Sequence, residues 1–524
     1  MRGLSLFAGA LVLQGAAVQA APSLFYVDPV ASANQVALSS SLQSATLNWA
    51  TKAADAITHS LGLGGSAGSL ADGDEGKSIL DIINGNDDFR QLAHVLNYSS
   101  DSTKQLLDSK DKKLTFFAPV NWHGEHHGGD GDDHDGDHQA LAHRHAATQH
   151  WNFIEHHIAL FEQDYGVASH GGGHDDDDDN KKRRREIIQH LIDAEAYYHL
   201  VRSDEPIDSK TLAENSTVAS QLNTGTEHRY NDGTDWRIRV GKSLLPIPGI
   251  YLNTYSRVVK PDLKAQNGLI HAIKYPLLLP PDVLQSLFFG QTTFSTTTSA
   301  LQKVHAAKYL AYRPFHGHGH GHGHHDGKDG DDKDSFPGVA AETFFAPTNL
   351  AWSKLPFTFR AYLFSPWGYH LLQKVFMLHS LPSDIVYADF VHHVERSKKH
   401  RGPATPREIS VDDDSQKTSY TFDSVLPAIN GTGKGEYEQV DVDVYRYHLV
   451  PGGKGPLQTR VVVQGVPVIV QDLPAANGVF HAIDSFIKPK GHPHKGLWAD
   501  IAREAQAAGF GTVDLEREAR LASW

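Results

Sequence analysis

Three stretches concentrate side chains that could bind metal or move protons: "HGEHHGGDGDDHDGDHQ" at 123–139, "HGGGHDDDDDNKKRRR" at 170–185 and "HGHGHGHGHHDGKDGDDKD" at 316–334. In the last of these, His316, His318, His320, His322, His324 and His325 are interleaved with glycine. Such a chain can gather several imidazoles around one borderline ion, Cu(II), Ni(II) or Zn(II), at small steric cost. Ordering glycine-rich backbone costs roughly 1–2 kcal/mol per residue, so the expected binding of divalent metal is weak and unselective. No resident cofactor is expected. A catalytic zinc needs three ligands held on rigid elements, and these histidines lie in glycine-rich sequence. Glu155-His156-His157 also lacks the i, i+4 histidine pair of a H-E-x-x-H helix.

Other reaction centres have no visible seat either. No G-x-S-x-G elbow follows a strand, and "GLGGSAG" at 62–68 precedes no strand–helix nucleotide unit. The chain has no cysteine, which removes thiol catalysis, thiolate metal sites and disulfides together. A formal charge of −14 at pH 7 argues against a general nucleic-acid binder, which would carry a basic field. The expectation is a protein that is not an enzyme.

The opening residues speak to location. Met1-Arg2, the apolar run "LSLFAGALVLQGAAVQA" and the small-residue ending at Val18-Gln19-Ala20 read as a secretory signal peptide over 1–20. No later run of eighteen apolar residues appears, and "AREAQAAGFGTVDLEREARLASW" at the C-terminus lacks the hydrophobic tail of a lipid-anchor signal. The expected product is exported without a transmembrane anchor: extracellular, at the cell surface, in the wall or in the vacuole. Sequons at Asn97, Asn215 and Asn430 fit export and are the candidate glycosylation sites. The run Lys181-Lys182-Arg183-Arg184-Arg185 has two readings, a target for a basic-specific processing protease or a solvated run balancing the five aspartates before it.

The elements that carry the rest of the chain come in duplicate. At 524 residues the chain exceeds one ordinary core. "LTFFAPVNW" at 114–122 returns as "TFFAPTNLAW" at 343–352. Helical apolar regions ending in histidine follow each, "EIIQHLIDAEAYYHLV" at 186–201 and "GYHLLQKVFMLHSLP" at 368–382. "VVKPDLKAQNGLIHAI" at 258–273 then aligns without a gap on "VIVQDLPAANGVFHAI" at 468–483, Asp262 facing Asp472. The Thr-Phe-Phe-Ala runs are apolar and β-prone, the prolines end the ladder, and Asn349 is placed to cap a helix over "LAWSKL". The Asn-Gly pairs supply the positive φ of a tight turn, and "TRVVVQGVPVIVQ" at 459–471 reads as a strand pair around Gly465. Each copy opens with helices and closes with strands, an α+β pattern. Phe116, Phe117, Phe344, Phe345, Trp352 and Trp367 are expected in the core. His271 and His481, in closing strands, are expected to bond through their ring nitrogens to backbone or to the first block's Thr or Asn.

This set of blocks resembles the fasciclin-like domain family. The resemblance rests on Thr-Phe-Phe-Ala-Pro-x-Asn with Phe117, Pro119 and Asn121 and again Phe345, Pro347 and Asn349. It rests also on His199 and His379, and on Asn-Gly-x-x-His-Ala-Ile with Asn267, Gly268 and His271 and again Asn477, Gly478 and His481. One departure is that Tyr198-His199 in the first copy is Leu378-His379 in the second. The resemblance implies two tandem domains, 76–281 with insertions 123–139 and 170–185 and 282–490 with insertion 316–334. They are flanked by an N-terminal segment 21–75 and a tail 491–524. Each domain would be a β-sandwich or wedge with packed helices, and the low-complexity insertions disordered loops. The implied function is non-enzymatic adhesion at a cell surface, matrix or wall, with surface proteins or glycans as partners. The alternative is a secreted His/Asp-rich metal-binding or buffering protein.

Overall fold

A computed structural model describes residues 73–121, 175–225, 230–243, 249–312, 338–393, 407–408, 417–427, 437–450 and 454–489, with helical residues inside 151–159. The described residues fall into two compact units. The first takes those up to Leu222 with 235–279 and 446–459, and the second takes 223–234, 280–445 and those from Arg460 onward.

In the first half, short helices Ile79–Gly85, Arg90–Leu96 and Asp101–Asp108 come first. Ser78 caps the first in a reciprocal box with Asp81, and Ser100 caps the third. Seven strands then form one sheet: β1 Leu114–Pro119, β2 Leu200–Val201, β3 Thr217–Ala219, β4 Arg237–Ser243, β5 Gly249–Leu252, β6 Ser256–Ala265 and β7 Gly268–Ile273. Their spatial order is β2-β1-β7-β6-β5-β4-β3, with β1 parallel to β7 in a register that sets Phe117 opposite His271. All six residues of β1 are buried, as expected of a strand covered on both faces. Ile79, Ile83, Phe89, Leu92, Phe116 and Ile192 share one core with it.

The second half repeats the arrangement. Strands β8 Glu342–Pro347, β9 Ser380–Pro382, β13 Lys417–Pro427, β14 Tyr437–Val450, β15 Lys454–Val463, β16 Val466–Ala475 and β17 Gly478–Ile483 order as β13-β14-β15-β16-β17-β8-β9. Between β9 and β13, strands β10 Asp384–Val386, β11 Phe390–His393 and β12 Arg407–Glu408 make a separate three-stranded sheet. Period-two alternation in β8 divides its phenylalanines. Phe344 joins the helical core with Trp352, Tyr362 and Phe376, and Phe345 joins Val440, Val442, Val444 and Val461 on the opposite face. Burial of each such side chain contributes about 1.5–3 kcal/mol. β15 and β16 meet through Gln464 and Gly465, both at positive φ (47° and 77°), the two-residue turn expected around Gly465. The fold is α+β, two seven-stranded sheets each with its own helices.

Three expectations are corrected. The segment 170–185 reads as a loop, yet a 25-residue helix spans Asp175–His199 and carries the basic run. The five aspartates open that helix, at the end whose macrodipole favours negative charge. Asn349 is not the cap of its helix: Thr348 is, its hydroxyl accepting from Ala351 N. Trp352 is buried, but Trp367 is 60% exposed, because it lies in the turn between helices Phe357–Leu363 and Tyr369–His379. The signal peptide 1–20, insertions 123–139 and 316–334 with all six histidines of the last run, Asn430 and the tail 491–524 lie outside the described residues.

Candidate functional site

The residues that recur in both halves converge on the parallel strand pair at the centre of each sheet. Asn267 closes the β6–β7 turn. Its Oδ1 accepts from Ile79 N at 2.8 Å and its Nδ2 donates to Leu107 O at 2.8 Å. Ile79 is the first residue of its helix, so the side chain satisfies an orphan N–H from 188 residues away. Asn477 does the same: its Oδ1 accepts from Val283 N at 2.9 Å, and its Nδ2 faces Leu310 O, Val339 O and Glu342 Oε1. The glycines beside them are required by close approach. A Cβ on Gly268 would lie 1.9 Å from Leu114 O, and one on Gly478 1.9 Å from Glu342 O.

The histidines form two matched pairs. His271 accepts from Asp262 N through Nδ1 at 3.2 Å and donates from Nε2 to Ile207 O at 2.8 Å. His481 accepts from Asp472 N at 3.1 Å and donates to Val386 O at 2.8 Å. Both aspartates sit at positive φ, 58° and 62°, where the ladders β6–β7 and β16–β17 slip register. At the helix ends, His199 donates from Nδ1 to Glu195 O (2.7 Å) and accepts from Leu277 N (2.9 Å), and His379 donates to Val375 O (2.7 Å) and accepts from Ile487 N (3.1 Å). All four rings are buried. Each is neutral in a fixed tautomer, with no lone pair left for a metal or a substrate proton. Burial lowers the pKa of His199 and His271, and lowers that of His379 to about 4.

Asn121 accepts from Gln91 N and donates to Asp87 O, and Asn349 accepts from Thr296 N and donates to Thr292 O. Pro119 and Pro347 end their strands, after which Val120 N and Thr348 N donate to Ile273 O and Ile483 O. Phe117 and Phe345 lie over His271 and His481, ring centroids 5.7 and 5.4 Å apart. Tyr198 donates to Arg237 O and accepts from Asn253 Nδ2, whereas Leu378 in its place packs among valines. Asn97 is exposed, and Asn215 follows helix Ser209–Glu214, donating to Thr211 O.

Sequence reasoning aligned Asp262 with Asp472 but gave them no part. Their signal was an aspartate inside an otherwise β-prone run, where the chain needs a residue tolerant of left-handed φ. It also missed Glu342. This carboxyl is buried, and burial raises its pKa well above the carboxylate range, helped by the negative charge of Asp282, itself buried as the cap of Val283–Phe289. Among the described residues, no group of three His, Cys, Asp or Glu side chains could hold a metal ion, and no helix is long and apolar enough to cross a membrane.

Comparison with known proteins bears on the same elements. Residues 292–489 match the family model of the fasciclin domain. Among solved structures, a FAS1 domain pair from the insect cell adhesion molecule fasciclin I aligns at 12% identity over 78% of this chain and 99% of its own, with a TM-score of 0.27. No curated protein matches. The fasciclin-domain match thus takes in most of the second half, and the first half repeats its strand order, its Asn-Gly turn and its paired histidines.

Proposed function

We propose that the chain is a secreted, non-enzymatic adhesion protein of the cell surface, matrix or wall, whose domains over 76–281 and 282–490 present surfaces to proteins or glycans. Fasciclin domains occur in extracellular and adhesion proteins. The observation that carries the reading is the use of the recurring polar residues. Asn267, Asn477 and the four histidines are each committed to backbone groups inside the fold. What the two copies keep in common is therefore a scaffold rather than a reaction centre, and recognition falls to the surface. Expression with the native leader, N-terminal sequencing and attachment of cells to surfaces coated with the product test it. Secretion beginning near Ala21 with saturable cell attachment is expected. Retention inside the cell, or turnover of glycoside or ester substrates, overturns it.

The alternation of histidine with glycine over 316–325 favours a second property, weak divalent metal binding. Calorimetric titration of Zn(II) and Cu(II) into the protein and into a variant with those six histidines replaced by serine decides it. Equal heats at pH 7.4 exclude the run as a site.

A further inference from the structure

The turn Asn97-Tyr98-Ser99 between helices Arg90–Leu96 and Asp101–Asp108 is a sequon with an exposed asparagine. It is also rigid. Ser99 is buried, its hydroxyl donating to Leu96 O at 2.7 Å. Ser100 N and Thr103 Oγ1 both donate to Asp193 Oδ1, at 2.9 and 2.7 Å, which pins the turn to the long helix Asp175–His199. Between the turn and that helix lies a cleft of about 230 Å³ whose walls include Asn97, Tyr98, Lys104, Arg185, Ile188 and Gln189. It is smaller than the ~300–1,000 Å³ of a drug-sized site. Its lining joins an aromatic ring and an apolar side chain to two amides, Ser99, the Asp101 carboxylate and two cations. That mixture suits one pyranose ring, whose C–H face packs on apolar surface while its hydroxyls and acetamide hydrogen-bond.

From this geometry we propose that the cleft is the seat of the first N-acetylhexosamine of a glycan carried by Asn97, so that the glycan is held against the protein. Asn97, the attachment residue, is itself part of the cleft lining, so the sugar reaches the cleft without the entropy loss of a separate association. The walls are fixed beforehand by Asp193, so docking orders little protein. The inference rests on the secretion reading above. Its consequence is that the Asn97 and Asn215 glycans differ: Asn215 is not among the residues lining the cleft.

The test is the rate at which a peptide N-glycanase, which hydrolyses the asparagine–sugar amide, releases each glycan from the folded, secreted protein, followed by mass spectrometry. Release at Asn97 is expected to be slower than at Asn215 by about tenfold, the factor that about 1.4 kcal/mol of protection gives. The difference should vanish after denaturation, and also in a folded Tyr98→Ala/Gln189→Ala variant whose melting temperature is unchanged. Equal rates on the folded protein, or secreted protein with Asn97 bare, overturn the proposal while leaving secretion intact. If the protein is not secreted, the secretion reading fails by itself. The cleft is then probed by NMR titration of the full unglycosylated chain with N-acetylglucosamine and chitobiose. Shifts confined to Tyr98, Gln189 and their neighbours support the site, and their absence removes it.

Discussion

A buried histidine that accepts from one backbone N–H and donates to one backbone carbonyl can hold only one tautomer, and a second proton would place a donor against a donor. His199, His271 and His379 are in this position, and burial lowers the pKa of each. A lowered value means that the unfolded chain takes up the proton first. The stability is fully present above pH about 6.5 and is lost as the pH falls toward the folded value, about 4 for His379. The slope should approach ~1.4 kcal/mol per pH unit for each such histidine. Urea unfolding between pH 7.5 and 4.5 measures it. His379→Phe should cost about 1–3 kcal/mol at pH 7 by leaving Ile487 N–H without its acceptor, and should flatten the slope. Glu342 works in the opposite sense. Its pKa is raised, so its contribution is full below the ordinary carboxylate pKa and fades as the pH rises through the folded value. Glu342→Gln keeps an acceptor for Asn477 and removes the charge facing Asp282. We expect it to raise unfolding stability at pH 8 by about 1–3 kcal/mol and to be near neutral at pH 4, measured by thermal melts at both pH values.

The central element of each half is a parallel strand pair closed by an Asn-Gly turn, and both residues of the turn are fixed by neighbours far away in sequence. Gly268 and Gly478 stand at φ of 148° and 134°, with the carbonyl of the facing strand where a methyl would go. Gly268→Ala or Gly478→Ala should therefore cost about 3 kcal/mol or more, since no side-chain motion relieves a clash with backbone. Chemical denaturation of each variant checks this, and a loss under about 1 kcal/mol would show that the strands can separate there. These elements were legible because they combine strong local signals with repetition: a Phe-Phe-Ala-Pro strand, an Asn-Gly turn, and a histidine at one offset. What was not legible depends on tertiary surroundings. Trp367 has the composition of a core residue, and only the turn of Ser365 to Gly368 turns it outward. Thr348 outcompetes Asn349 as cap because the asparagine is engaged by Thr296 N and Thr292 O of another helix. The run 175–185 has the composition of a loop, but it continues into an apolar-striped helix anchored by Ile188 and Ile192, and helix propagation costs less than nucleation.

At the scale of the whole molecule, the chain carries 34 histidines and a formal charge of −14, with a sequence pI near 6.2. Eleven of those histidines stand in the insertions 123–139 and 316–334, among eleven acidic residues and two lysines. Free histidine titrates near pH 6.5, so between pH 7.4 and 5.5 the insertion 123–139, with six acidic residues to five histidines, loses most of its negative charge, and 316–334, with five acidic residues to six histidines and two lysines, becomes net positive. His199, His271, His379 and His481 are by contrast buried in the two halves. The largest charge change is thus assigned to segments that carry none of the recurring core residues. Replacing both insertions by short Gly-Ser linkers should leave the unfolding free energy within about 1 kcal/mol of the parent, because loop-closure entropy varies only logarithmically with length. The same variant should lose part of the pH dependence of electrophoretic mobility between pH 7.4 and 5.5. Retention on an anionic matrix at pH 5.5 should fall with it, and for the parent that retention should weaken as salt rises. Mobility that shifts equally in parent and variant would place the titrating charge on the two folded halves instead.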